Sequence, residues 1–344
     1  MIERYLQAGL RLFYKSNLAP LYIIHFITNK CNANCQHCFY RKELNINKQL
    51  LSVEEIDKMT KKLGKLLYIN LTGGEPFLRE DIVTIAQIYY KNTKPLNIVI
   101  PTNGILTNKI VSDVKKILKL CPRSRLSVRF SIDNTEALHN KIRGVEAFKH
   151  MLTTYEILNQ LKREGHKNLD LGFITTISSF NQDYLDELFE FMKHNLKGNN
   201  WRILFARNIG EKGADIQKYN LFANKVNNYF GRGIIDNLVS KIITYNKYVI
   251  PCYAGRTSCV ITEDGEIKPC EPLNYSFGNI KSFNYDFKKL WNNQKAKSFR
   301  KKVIKNKCFC SHECFVSNNV VFNLKMFTKI IKNYIFKGAL GELK

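Results

Sequence analysis

The sequence predicts an α/β chain with parallel strands, arranged as a sheet or barrel, followed by a smaller second unit. Three observations carry this. Six compact apolar runs of strand length alternate with helix-length segments between Tyr22 and Ala206, the order that right-handed βαβ units produce. The runs end in short glycine-bearing or polar texts, and in such folds the chemistry gathers at the strands' C-terminal ends. The ten cysteines fall into two groups, at 31–38 and 252–314, with Cys121 alone between them.

Each element can be justified in turn. Residues 2–16 suit a short amphipathic N-terminal helix. Tyr22 to Thr28 (YIIHFIT) is a compact, largely apolar run, consistent with a buried strand. The first cysteine group follows it directly. Ser52-Val53-Glu54-Glu55 has the spacing of a capping box that opens a helix reaching about Leu66. Leu67 to Thr72 (LYINLT) is a second strand, ending at Gly73-Gly74. A helix over 79–91 leads to a third strand, Leu96 to Thr102, closed by Asn103-Gly104. The alternation continues with a helix over 109–120, a strand over 126–132, a helix over 145–163 and a strand over 170–178. A helix over 181–194 and a strand over 201–206 complete it. The pattern fades after about Asn208. Residues 211–250 read as a helical bridge. Short strands at 258–262 and 266–268 then flank a turn at Asp264-Gly265.

Lys and Arg number 54 against 29 Asp and Glu, for a net charge of +25. Such an excess favours acidic partners, or is a solvated basic surface. No apolar stretch is long enough to span a membrane. The N-terminal residues lack the zones of a secretory signal, so a cytoplasmic chain is expected. Ten cysteines in that compartment argue for metal sites or reactive thiols rather than disulfides.

The first group reads Cys31-Asn-Ala-Asn-Cys35-Gln-His-Cys38. Three thiolates within eight residues can wrap one compact centre. A [4Fe–4S] cube takes four protein ligands when fully ligated, so three leave one iron open to a small molecule. A structural zinc site would need a fourth ligand, for which only His37 offers itself nearby, at the cost of strain.

The C-x3-C-x2-C spacing, with His37 before the last cysteine, resembles the radical S-adenosylmethionine superfamily. Gly73-Gly74-Glu75-Pro76 at the second strand's end looks like the family's text that meets the amino group of S-adenosylmethionine (AdoMet). Thr102-Asn103-Gly104 after the third strand also matches the family's text; by itself it is a turn. Ser131 and Asp133 after the fourth strand resemble the ribose-contacting position; a helix cap is the alternative reading. His139, Arg143 and Gly144 form a His-x3-Arg-Gly pattern, which makes Arg143 a candidate carboxylate contact, or a surface ion pair. Thr175 and Leu204 get no role beyond lining an adenine pocket. The resemblance implies a partial (β/α)6 parallel barrel over residues 21–210.

The second group resembles the SPASM or twitch extension of one branch of that superfamily, over 251–319. It runs Cys252, Cys259, Gly265 and Cys270, then Cys308, Cys310 and Cys314. Six cysteines fall short of the eight that two full clusters need, so one auxiliary [4Fe–4S] cluster is expected. By resemblance Cys252, Cys259, Cys270 and Cys314 ligate it, with Cys308 or Cys310 as alternates. A zinc ribbon on the same residues is the competing reading. Cys121 reads as a buried structural thiol.

The resemblance implies an enzyme that cleaves AdoMet reductively to a 5′-deoxyadenosyl radical, which abstracts hydrogen from a substrate. It also implies an electron donor such as flavodoxin or ferredoxin. A peptide or protein substrate is the first expectation; a sugar, nucleotide or lipid precursor is the alternative. An iron–sulfur electron carrier without catalysis is the third reading, and the cofactor-pocket motifs speak against it. No nucleic-acid partner is expected. Residues 320–344 place Phe322, Phe327 and Ile330 among lysines, a basic amphipathic tail suited to peripheral contact with an anionic membrane.

Overall fold

The computed structural model describes residues 19–196, 200–206, 214–230, 234–323 and 326. The predicted helix over 2–16 and nearly all of the tail beyond Asn323 lie outside them.

Six parallel strands form the core: β1 (Tyr22–Thr28), β2 (Tyr68–Gly73), β3 (Asn97–Thr102), β4 (Arg125–Ser131), β5 (Leu169–Ile177) and β6 (Trp201–Phe205). Helices α1 (Val53–Thr60), α2 (Ile82–Thr93), α3 (Thr107–Leu120), α4 (Glu136–Arg143), α5 (Phe148–Arg163) and α6 (Leu185–His194) connect them. This is the α/β partial barrel that the alternation and the resemblance predict. The capping box forms as read: Ser52 Oγ accepts from the Glu55 N–H while Glu55 Oε2 accepts from the Ser52 N–H. The first helix nonetheless stops at Thr60 rather than 66. Turns follow, and Gly64 takes a φ of +86° that favours glycine. The helix expected from 145 begins at Phe148, and a separate α4 precedes it.

Strand alternation sorts the side chains. On β1, Ile23 and Ile27 pack outward into the helix layer, and His25 meets the Tyr89 hydroxyl there at 2.9 Å. Ile24 and Phe26 face the other way, into the barrel. The barrel floor is polar. Asp170 on β5 is paired with Arg129 and Arg125 of β4, and Ser127 donates to it at 3.1 Å.

The bridge forms two helices, α7 (Ile216–Phe230) and α8 (Ile234–Tyr245). The C-terminal unit is not a separate sheet. Its strand β7 (Ser258–Ile261) pairs parallel to β1, and β8 (Glu266–Lys268) and β9 (Gly278–Asn279) continue antiparallel. The order among the described residues is β6-β5-β4-β3-β2-β1-β7-β8-β9. Helices α9 (Phe287–Trp291), α10 (Gln294–Lys305) and α11 (Glu313–Phe322) follow. The last runs past residue 319, and Phe322 packs near Leu21 and Leu67. Val320 is buried as well, so the start of the basic tail is docked on the protein.

The β7–β8 turn also clasps the loop behind the first cysteines. Buried Glu263 accepts from the Tyr40 hydroxyl at 2.7 Å and from Lys48 Nζ at 2.9 Å, and its carbonyl accepts from the Leu51 N–H. Loop and hairpin therefore share one polar anchor.

Candidate active site

The C-terminal ends of β1 to β6 enclose a cavity, and Cys31, Cys35 and Cys38 line one wall. The loop that bears them is held from several sides. Asn45 brackets Cys31, accepting from its N–H at 2.9 Å and donating to its carbonyl at 3.0 Å. The N–H groups of Asn34 and Gln36 donate to the carbonyls of Arg143 and Ile142 at the end of α4. Burial pushes the Cys31 thiol up to about 12 and raises Cys38 as well. Bound iron would reverse that preference, because a metal ligand must be a thiolate.

Gly73, Gly74, Glu75, Asn103, Ser131 and Arg143 all line the same cavity. The glycine pair packs tightly against the end of β1. A Cβ on Gly73 would lie 2.0 Å from the Thr28 carbonyl oxygen, and one on Gly74 2.2 Å from that of Lys30. Glu75 is buried, and its carboxylate accepts from Thr102 Oγ1 at 2.9 Å, the Asn103 N–H at 2.8 Å and the Phe77 N–H at 3.2 Å. Burial pushes its pKa up to about 7 despite these donors. Glu75 thus ties the ends of β2 and β3 together, a task beyond the simple ammonium acceptor expected of it. Asn103 Nδ2 donates to Asn32 Oδ1 at 2.7 Å and joins that tie to the cysteine loop.

Asp133 corrects the sequence reading. Ser131 lines the cavity but Asp133 does not, because β4 ends at Ser131 and the extended alternation does not carry on. Asp133 is fully buried behind the wall, 2.7 Å from Arg143 Nη2 and 3.8 Å from His37 Nε2. Burial opposes its ionisation, but Arg143, His37 and His139 outweigh that and hold its carboxyl below the usual range. Arg143 is likewise no surface ion pair. Leu204 lines the cavity as expected. Thr175 does not: its hydroxyl donates to the Ile132 carbonyl and accepts from Trp201.

The second cysteine group divides. Cys252, Cys270, Cys308 and Cys310 line one small cavity beneath Phe299 and Phe315. A hydrogen bond from Cys252 lowers the Cys308 thiol and raises its own. Cys259 is not among them. It sits opposite Ile23 in the β1–β7 register, on the helix side of the sheet, fully buried. Val260 beside it faces the barrel. The ligand role expected of Cys259 therefore fails on the two-residue period of β7. Cys314 departs too: it lines the larger cavity and hydrogen-bonds Tyr22. Cys121 is buried at the end of α3, as read.

Sequence reasoning missed Glu271 and His312. They pair at 2.5 Å and line both the main cavity and the opening that leads toward Cys310. Their place beside Cys270 and between Cys310 and Cys314 was the available signal. Among the described residues, no three His, Cys, Asp or Glu side chains close on a single-ion site; each cysteine set lines a cavity instead. Buried polar atoms on three residues that line the main cavity have no protein partner: His37 Nδ1, Asn70 Oδ1 and Arg143 Nε. Three thiols and three unmet polar groups around one space fit a sulfur-ligated cluster beside a polar organic molecule.

The model of the radical SAM superfamily matches residues 26–192, and that of an iron–sulfur cluster-binding domain, SPASM, matches 252–315. The chain belongs to the radical SAM superfamily, with a SPASM domain at its C-terminal end. Among curated relatives, the AdoMet-dependent heme synthase of Methanosarcina barkeri is 28% identical, over 84% of this chain and 88% of that protein. The antilisterial bacteriocin subtilosin biosynthesis protein AlbA of Bacillus subtilis is 26% identical, over 86% of this chain and 66% of its own. This chain thus spans about two thirds of AlbA's length. The solved structure of anSMEcpe with bound AdoMet and Cp18Cys peptide shares the fold, with a TM-score of 0.60 at 19% identity, covering 83% of each chain. The chain is a radical SAM enzyme that uses AdoMet and iron–sulfur chemistry. No helix among the described residues is long and apolar enough to cross a membrane.

Proposed function

We propose that this radical SAM enzyme modifies a peptide or protein, which enters between the two cysteine-lined cavities. The observation that carries this is the shared opening: Phe39, Phe205, Ala206, Glu271 and His312 line both the main cavity and the adjoining one that reaches Cys310. A segment of chain can lie there with one side chain reaching inward. The relatives fit this reading, since AlbA is named for bacteriocin biosynthesis and anSMEcpe was solved with a peptide. Cys31, Cys35 and Cys38 would hold the first cluster. Ser131, Asn103, His37 and Arg143 would take the polar groups of AdoMet, while Glu75 fixes the strand ends around them. The bound cluster and AdoMet supply the radical, and the protein orients the reactants and shields them from water. An external one-electron donor such as flavodoxin or ferredoxin would feed it. Contact of the segment 320–344 with an anionic membrane is proposed on its sequence pattern alone.

The test is mass spectrometry on short peptides encoded beside the gene, incubated anaerobically with reconstituted enzyme, AdoMet and dithionite. AdoMet-dependent loss of hydrogen or a new cross-link in one of them is expected. Turnover of a sugar, nucleotide or lipid precursor, with every peptide unchanged, would overturn the peptide reading.

For the auxiliary cluster the proposed ligands are Cys252, Cys270, Cys308 and Cys310, in place of the set with Cys259 and Cys314. Iron analysis separates the two. Cys259→Ala is expected to keep the wild-type iron content. Replacing Cys308 and Cys310 together is expected to remove about four irons, the content of one cube.

A further inference from the structure

Arg143 makes contacts that an AdoMet pocket alone does not require. Its guanidinium is buried, with Nη2 2.7 Å from Asp133 and Nη1 donating to Cys35 Sγ at 3.5 Å. Cys35 lies 108 residues earlier in the chain. Asp133, the other end of this contact, is itself fixed. Its carboxylate accepts from the Thr176 N–H at 3.1 Å, its N–H donates to His139 Nδ1 at 3.1 Å, and its carbonyl accepts from Asn181 Nδ2 at 2.9 Å. Burial, and then the neighbouring Arg143, lower His139 to about 3, so that ring stays a neutral acceptor.

The backbone is locked as well. The Arg143 carbonyl accepts from the Asn34 N–H at 2.9 Å. Gly144 follows with a φ of +67°, and a Cβ there would lie 2.9 Å from the Asn34 carbonyl oxygen. Helix end and cysteine loop therefore approach as closely as a glycine allows. The Arg143 backbone is thus held beside the cysteine loop, and Asp133 holds its guanidinium toward Cys35.

We propose that Arg143 is a positioning residue that sets the reduction potential of the centre held by Cys31, Cys35 and Cys38. The inference rests on the radical SAM reading of that triad. Adding an electron to a thiolate-ligated cluster adds negative charge. A buried cation that donates an N–H to a ligand sulfur stabilises the reduced form more than the oxidised one. The burial of the guanidinium strengthens that interaction. Asp133 offsets part of the charge, yet the guanidinium stands between the carboxylate and the sulfur, so the sulfur is in contact with the cation. Arg143 thus makes the centre easier to reduce before any AdoMet binds.

The test is an EPR-monitored redox titration of the full-length, anaerobically reconstituted protein without AdoMet. It follows the signal that a Cys31/Cys35/Cys38 triple-alanine variant lacks. Arg143→Gln is expected to shift the midpoint to lower potential, and Arg143→Lys, which keeps a cation without the fork, to shift it less. An Arg143→Gln midpoint equal to wild type overturns the proposal and leaves Arg143 a carboxylate contact. If Arg143→Gln lacks the triad's signal, Arg143→Lys decides: a midpoint below wild type supports the proposal and an equal one overturns it. Absence of the triad's signal from the wild-type protein would instead overturn the radical SAM assignment of the triad.

Discussion

Replacing any one of Cys31, Cys35 or Cys38 by alanine is expected to abolish 5′-deoxyadenosine formation, with the fold retained. Each of the three sulfurs lines the cavity from a loop fastened by Asn45, Asn103 and the end of α4. None of these fastenings uses a thiol proton, so the loop should survive a missing sulfur. The cluster should not. Two protein ligands would leave two irons open, and the other cysteine that lines this cavity among the described residues, Cys314, is engaged in a hydrogen bond with Tyr22. Circular dichroism close to wild type, with the visible absorption of the first cluster gone, is the expected pair of results. Iron should fall by about four per chain while the second cavity's complement remains. Retained cleavage in one single variant would mean that the triad is not the radical-generating site.

The second large effect is expected at Glu75. Glu75→Gln puts an amide nitrogen where a carboxylate oxygen now faces a donor: Oε1 receives Thr102 and Phe77, Oε2 receives Asn103. Either orientation of the amide turns donor against donor. The cost is about 1–3 kcal/mol of stability, and the ends of β2 and β3 lose their common tie. AdoMet affinity is expected to fall about tenfold or more, since about 1.4 kcal/mol of lost preorganisation is a factor of ten. Equilibrium dialysis with AdoMet checks this.

Glu75 also makes a pH prediction for the cluster-free protein. Its pKa in the fold is raised to about 7, above the ordinary carboxyl value, with burial as the main cause. Below the ordinary value both folded and unfolded states hold the proton, and the group's contribution is present in full. As pH rises, the unfolded chain releases its proton first, and stability is lost up to about pH 7 and is constant beyond. Urea midpoints should decline over that window in wild type and decline less in Glu75→Gln. Equal slopes in the two proteins would remove Glu75 as their source.

Much of this site was legible in the sequence for a physical reason. Strands buried on both faces read as compact, largely apolar runs, so β1 and β3 stand out as Tyr22–Thr28 and Asn97–Thr102, and the alternation with helices placed the others. Their ends then brought Cys31, Gly74, Asn103 and Ser131 to one cavity. What stayed hidden depends on partners distant in sequence. Nothing in the text of β7 says that it pairs with β1, and that pairing turns Cys259 away from the other cysteines. Asp133 was misplaced because alternation was carried one step beyond the end of a strand. Arg143 was found as a motif, but its contact with Cys35 depends on how α4 docks on the cysteine loop. Glu271 and His312 come from different segments and meet only in the fold.

The central claim is that this chain generates a radical from AdoMet. Its most direct measurement is anaerobic incubation of the iron- and sulfide-reconstituted wild-type protein with AdoMet and dithionite, followed by chromatography of the products. The predicted result is 5′-deoxyadenosine and methionine in equal amounts, dependent on both reductant and protein. Intact AdoMet after incubation with a protein shown by its iron and sulfide content to hold its clusters would contradict it.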